Sequence, residues 1–166
     1  MADANPAPLA TPTDLNRNDT RTVADALNSS LADCYALYLK TKNFHWHVSG
    51  PHFRDYHLLL DDQAAQILGV TDAIAERVRK TGNLTLRSIG DIARRQTLRD
   101  NDAEFVTAAD MLAELREDNL KLVESFRVVK EAAEDAKDNA TSGIVDEWTD
   151  QAEERAWFLF EASRKG

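Results

Sequence analysis

The sequence predicts an all-α protein, a four-helix bundle with one long crossover between its second and third helices. Three observations carry this. Apolar residues recur at three- and four-residue intervals through most of the chain. Between Thr20 and Ser163 there is one proline, Pro51, and no alternating apolar–polar run long enough for a strand. Breaks fall where helices should end, at Gly50-Pro51 and at Gly82.

Residues 1–19 hold three of the four prolines and almost no large apolar side chains, so a disordered N-terminal tail is expected there. The bundle is expected over 20–163 and a short basic C-terminal tail over 164–166. The first long helix is predicted over about 21–48. Leu27, Leu31, Cys34, Tyr38, Thr41, His45 and Val48 form its inward stripe. The second runs over about 51–80, with Pro51 suited to a first helical position. The third starts near Asp102. Its seam is Phe105, Ala108, Leu112, Leu115, Asn119, Leu122, Phe126, Val129, Ala133 and Ala136. The fourth covers about 140–163 and carries Trp148, Trp157, Phe158 and Phe160. The first two helices are joined by a short turn, and so are the last two. The stretch 81–101 is long and must cross the bundle, with SIGDIARRQ as a short helix inside it.

The formal net charge of −9 argues for solubility and against a whole-surface attraction to nucleic acid or anionic membrane. The lone cysteine, Cys34, cannot staple the fold and suits a reducing compartment. No signal peptide or membrane span is read. A cytoplasmic protein is expected.

All four histidines, His45, His47, His52 and His57, lie in one 13-residue window. Imidazole with nearby carboxylates on helices suits iron, manganese or zinc. Four side chains of the second helix share a face. With His57 at zero, Asp61 lies near about 40°, Asp72 near about 60° and Glu76 near about 100°. Yet His57 and Asp72 are separated by about 22 Å of helix. Metal–ligand bonds are about 2 Å, so one chain cannot bring both to one ion. Either the two pairs are unrelated, or two antiparallel copies of this helix share them about a two-fold axis near residues 66–67. In that arrangement His57 of one chain meets Asp72 and Glu76 of the other, and the site occurs twice. His45, just before the turn, can join His57. His47 lies about 200° from His45 round the helix, and His52 about 140° from His57; both are poorer co-ligands. The plain readings are a hydrogen-bonded core histidine at 45 and solvated charges at 72 and 76, with Glu76 paired to Lys80.

The run KTKNFHWHVSGPHFRDYHLLLDD followed by TDAIAERVRKTG resembles the Dps family, the mini-ferritins of the ferritin-like superfamily. The pattern is carried by His45-Trp46, Gly50-Pro51-His52-Phe53, His57, Asp61 and Asp72 through Glu76-Arg77. The resemblance is specific over 40–82 and extends more loosely over 20–163. It implies a ferroxidase that oxidises iron(II) to iron(III), with hydrogen peroxide as oxidant or else dioxygen, and stores ferric mineral in a hollow shell. The shell would be a homo-dodecamer built from two-fold dimers. His45, His57 and Asp61 of one chain and Asp72 and Glu76 of its mate would hold iron; zinc would compete for these ligands. Trp46 resembles the family's redox-active tryptophan. No Glu-x-x-His occurs in the chain, which counts against a di-iron site inside the bundle.

The family is named for DNA binding, which would put the protein on the bacterial nucleoid. Here the tail has no lysine and is acidic, so weak or no DNA binding is expected at physiological salt. Arg77, Arg79, Lys80, Arg87, Arg94, Arg95 and Arg99 form the one basic stretch. Asp138, Asp146 and Asp150 suit either the lining of an iron channel or a solvated acidic face. Two alternatives stand beside the ferroxidase: a DNA-compacting structural protein with a secondary metal site, and a helical dimer holding structural zinc.

Overall fold

The computed structural model describes residues 6–165. After a 3₁₀ turn at Ala7–Leu9 come five helices: α1 (Arg17–His47), α2 (Phe53–Lys80), α3 (Ile89–Arg95), α4 (Ala108–Asp135) and α5 (Asn139–Ala162). Among the described residues there is no strand. α1 packs along α2 and α4, and α4 along α5, while α2 and α5 meet only briefly. The short helix α3 lies against α1, within the long connection from α2 to α4. This is the expected bundle of two helical hairpins with one crossover.

Local chemistry sets the helix ends. Asn16 accepts from the N–H groups of Asn18 and Asp19, so α1 starts at Arg17, inside the segment expected to be tail. The chain before it lies over the end of α2, where Arg79 donates to the Leu9 carbonyl at 2.9 Å. Residues 1–5 of the expected tail, and Gly166 at the other end, lie outside the described residues. Gly50, at φ 119°, turns the chain after α1, and Phe53 N–H donates back to its carbonyl. Pro51 therefore sits in the turn and not in the first turn of α2, which begins two residues later than expected.

The third long helix also starts late. Thr107 caps it, its hydroxyl accepting from Asp110 N–H at 3.1 Å and donating to the Asp110 carboxylate at 2.7 Å. Thr107-Ala-Ala-Asp110 is a capping box visible in the sequence, and apolar periodicity alone overran it. Phe105 is left outside the helix, 70% exposed, while the rest of the seam from Leu112 to Ala136 is buried.

The core follows the predicted stripes. Leu27, Leu31, Cys34, Phe44, Leu60, Ile67, Ile74, Leu115, Leu122, Phe126 and Trp148 are all buried. Of the fourth helix's aromatic residues only Trp148 is inside; Trp157, Phe158 and Phe160 face outward. Among the polar groups buried in the interior, two clusters involve α4. Lys40 donates to Asp118 at 2.6 Å and pairs with Glu114 at 3.1 Å. Arg155, 2% exposed, donates from Nε to Asn119 at 2.7 Å. A fixed guanidinium charge in the bundle's middle disfavours a metal cation there, in line with the missing Glu-x-x-His.

Candidate metal centre

The α1–α2 turn brings together the last turn of one helix and the first turns of the next. Because the turn is only five residues, His45 and His57 meet face to face. Their ring centroids are 3.8 Å apart and the planes differ by 15°. His45 Nδ1 lies 2.7 Å from the His57 carbonyl, and His57 Nδ1 lies 2.8 Å from the His45 carbonyl. A carbonyl only accepts, so both Nδ1 atoms carry the hydrogen. In the neutral rings both Nε2 lone pairs are then left available, the arrangement that orients imidazoles as metal ligands. His45 is 8% exposed, and Phe53 stacks on His57 at 5.0 Å. The plain reading of His45 as a hydrogen-bonded core residue is thus half true: one nitrogen is bonded and the other is not.

Asp61 comes to the pair one turn along α2. Its Oδ1 is 3.8 Å from His45 Nε2 and 2.7 Å from Lys42 Nζ. The Lys42 hydrogen bond is the main cause holding the Asp61 carboxyl below the usual aspartate range. Lys42 Nζ also stands 5.8 Å from the centroid of the Trp46 ring, which is 57% exposed. Lys42 was missed by the sequence reading, although its spacing of three to His45 and four to Trp46 puts all three on one side of α1.

Asp72 and Glu76 do not join this group. Both are exposed on α2, and Glu76 pairs with Lys80 at 3.5 Å, as its plain reading anticipated. Among the described residues, no three His, Cys, Asp or Glu side chains are arranged in one chain to close round a metal ion. What one chain brings together here is two imidazole nitrogens and a nearby carboxylate.

The other histidines point elsewhere. His47 Nδ1 lies 2.7 Å from the Asn43 carbonyl, and His52 tilts against Tyr56. Of the acidic residues suited to a channel, Asp138 is 3% exposed and caps α5 while binding Arg77 at 2.9 Å. Asp146 is paired with Lys130 at 3.0 Å. Much of the basic stretch is likewise engaged within the chain: Arg77 by Asp138, Arg79 by Leu9, Arg94 and Arg95 by Asp91.

No helix among the described residues is long and apolar enough to cross a membrane.

Comparison with known proteins fits this geometry. The ferritin-like domain family matches residues 24–165. A DNA protection during starvation protein of Agrobacterium fabrum is 32% identical over 149 residues, covering 90% of this chain and 92% of its own. An uncharacterised low temperature-induced protein of Nostoc sp. is 34% identical over 138 residues, covering 82% of this chain and 77% of its own. The crystal structure of an archaeal Dps homologue from Halobacterium salinarum superposes with a TM-score of 0.89 at 27% identity, covering all of this chain and 94% of the other. The all-helical crossover bundle, the histidine pair at its first turn and these matches together make the chain a member of the ferritin-like superfamily, in the Dps family.

Proposed function

We propose that this protein is a Dps-type ferroxidase and iron store. Iron(II) is its substrate, oxidised to iron(III) with hydrogen peroxide, or dioxygen, taking the electrons. The observation that carries the reading is the reciprocal His45–His57 pair, which leaves the Nε2 atom of each ring available, that of His45 3.8 Å from Asp61.

The half-site needs a second chain. Asp72 and Glu76 lie on the exposed face of the same helix, about 22 Å and about 28 Å further along than His57. A two-fold partner running antiparallel brings them to the histidines and makes two equal centres per dimer. Neutral imidazole and carboxylate suit iron(II), and the carboxylates favour the ferric product. Trp46, exposed one residue from His45, is the nearby oxidisable ring. The family resemblance extends the dimer to a twelve-chain shell with mineral inside, which would protect the cell and its DNA by removing iron(II) and peroxide together. Zinc would compete for the same donors.

DNA binding at physiological salt is expected to be weak or absent. The net charge is −9 and several arginines of the basic stretch are neutralised within the chain. Retardation and condensation of plasmid by the protein at such salt would reverse this part of the reading.

The deciding experiment loads the protein with iron(II) anaerobically and adds measured peroxide. Fast, stoichiometric loss of peroxide with a soluble ferric product is the expected result. A rate equal to that of a protein-free control would remove the ferroxidase reading and favour a structural metal.

A further inference from the structure

Arg77, Arg94, Arg95, Arg116, Arg127 and Arg164 each meet a carboxylate, at 2.9 to 3.6 Å. Among the described residues Arg17, Arg21 and Arg79 meet none. What sets these three apart is where they stand. Arg17 and Arg21, one turn apart at the start of α1, line a pocket of about 160 Å³ between the N-terminal segment, α1 and the end of α2. Arg79 stands at its edge, donating to the Leu9 carbonyl at 2.9 Å and to Thr11 Oγ1 at 3.4 Å.

The rest of the described lining is hydroxyl-rich and holds no acidic side chain; the neighbouring Asp14 and Asp19 are exposed and outside it. Thr20 and Thr81 spend their hydroxyl hydrogens on the carbonyls of Arg17 and Val78, both at 3.0 Å. Thr11 and Thr13 only accept, from Arg79 and from Leu15 N–H, so their hydrogens remain to be donated. Asn16 already takes the N–H groups of Asn18 and Asp19, so the site rests on side chains and not on the helix end. Guanidinium groups and free hydroxyl donors without an acid repel a metal cation and match an oxyanion.

We propose that this pocket binds one small tetrahedral oxyanion of the phosphate class, and that the bound anion pins the N-terminal segment onto α1 and the end of α2. The anion bridges Thr11 and Thr13 of the segment to Arg17 and Arg21 of the helix. A nucleic-acid backbone offers the same charge, but the pocket is small and covered by the segment, and a net charge of −9 repels a polyanion. The free anion is therefore the occupant. The site is independent of the proposed metal centre, since Arg17 and His45 are about 40 Å apart along α1.

The test titrates the assembled, metal-free protein with inorganic phosphate by calorimetry. Ionic strength is held constant with chloride, because screening alone changes apparent affinity. R21Q and R21K are run beside wild type, with circular dichroism and sedimentation to establish that they fold and assemble alike. The expected result is one phosphate per chain, bound about tenfold or more weakly by R21Q, with a smaller loss in R21K. Limited proteolysis of the N-terminal segment gives the second readout. An anion that binds only the docked segment slows cleavage by 1 + [L]/Kd, about elevenfold at ten times Kd. No saturable phosphate binding in wild type, equal affinity in R21Q, or binding that leaves the cleavage rate unchanged overturns the proposal. A duplex oligonucleotide that displaces phosphate from wild type and is not bound by R21Q makes the pocket a nucleic-acid contact and overturns the free-anion reading.

Discussion

His45 and His57 are each other's positioning group: each ring nitrogen Nδ1 is bonded to the other residue's main-chain carbonyl, at 2.7 and 2.8 Å. The two backbones fix both tautomers and both ring planes before any metal arrives. Little reorganisation is then left to be done on binding.

Replacing either ring should therefore be felt twice, as a lost donor and as a lost support for the other. His57→Ala is expected to lower metal affinity at least about tenfold and to bring iron(II) oxidation close to the uncatalysed rate. Titration of the variant with cobalt(II) or iron(II) measures the first effect, and ferric absorption after peroxide the second. Because His57 is only half-buried, the helices should survive, as circular dichroism will report.

A centre shared between chains predicts complementation. His57→Ala and Asp72→Asn chains are each expected to be inactive alone. Mixed by unfolding and refolding together in equal amounts, they form hybrid dimers with one doubly damaged and one intact centre. Random pairing should restore about a quarter of the wild-type centres. No recovery from a well-assembled mixture would mean the ligands of each centre come from one chain.

The interior ion pair should behave differently from those on the surface. Burial raises the pKa of the Asp118 carboxyl despite the ammonium of Lys40 at 2.6 Å. Lys40→Met leaves that carboxylate without its partner and should cost about 3–5 kcal/mol at neutral pH. A raised folded pKa means that the unpartnered group is tolerated best when protonated. The destabilisation should thus shrink as pH falls and grow as pH rises through the folded value. Denaturant melts of the variant at several pH values test the sign, and Lys40→Met with Asp118→Leu should recover most of the loss.

Cys34 is expected to be inert. It is fully buried, and burial pushes its thiol up to about 12. At pH 8 it is protonated and shielded from reagents. A chromogenic disulfide reagent should label the native protein far more slowly than the denatured chain. Labelling at equal rates would mean that the bundle opens readily at α1.

Gly82 is required for two reasons that act together. Its φ is 81°, and a Cβ there would stand 2.7 Å from the Thr11 carbonyl oxygen of the overlying N-terminal segment. Gly82→Ala should destabilise the fold by about 1–3 kcal/mol, read as a lowered denaturation midpoint. The N-terminal segment is expected to become more open to proteolysis at the same time.

The boundaries show where sequence reasoning reaches and where it stops. The stripe through Leu27, Leu31 and Cys34, and the seam through Leu112, Leu115 and Phe126, were legible because burial imposes a helical period on side-chain type. The late start at Ala108 was legible too, in the Thr107–Asp110 capping box, and periodicity misled because an exposed Phe105 happened to fall in register. The fates of Trp157 and Phe158 were not legible, since a large aromatic is equally at home in a core or on a surface that meets something else.

For the proposed centre, the sequence by itself determined the candidate donors and their spacing: His45 and His57 across a five-residue turn, and Asp61, Asp72 and Glu76 on one face of α2. It also determined that one chain cannot close the site, because helical rise is fixed and about 22 Å cannot be bent away. Only the tertiary structure decided which nitrogens are free, because that depends on two carbonyls belonging to different helices. It alone brought Lys42 onto Asp61 and buried Arg155 in the bundle. Each of these depends on groups of different helices meeting, set by how α1, α2, α4 and α5 pack. No local pattern encodes such contacts.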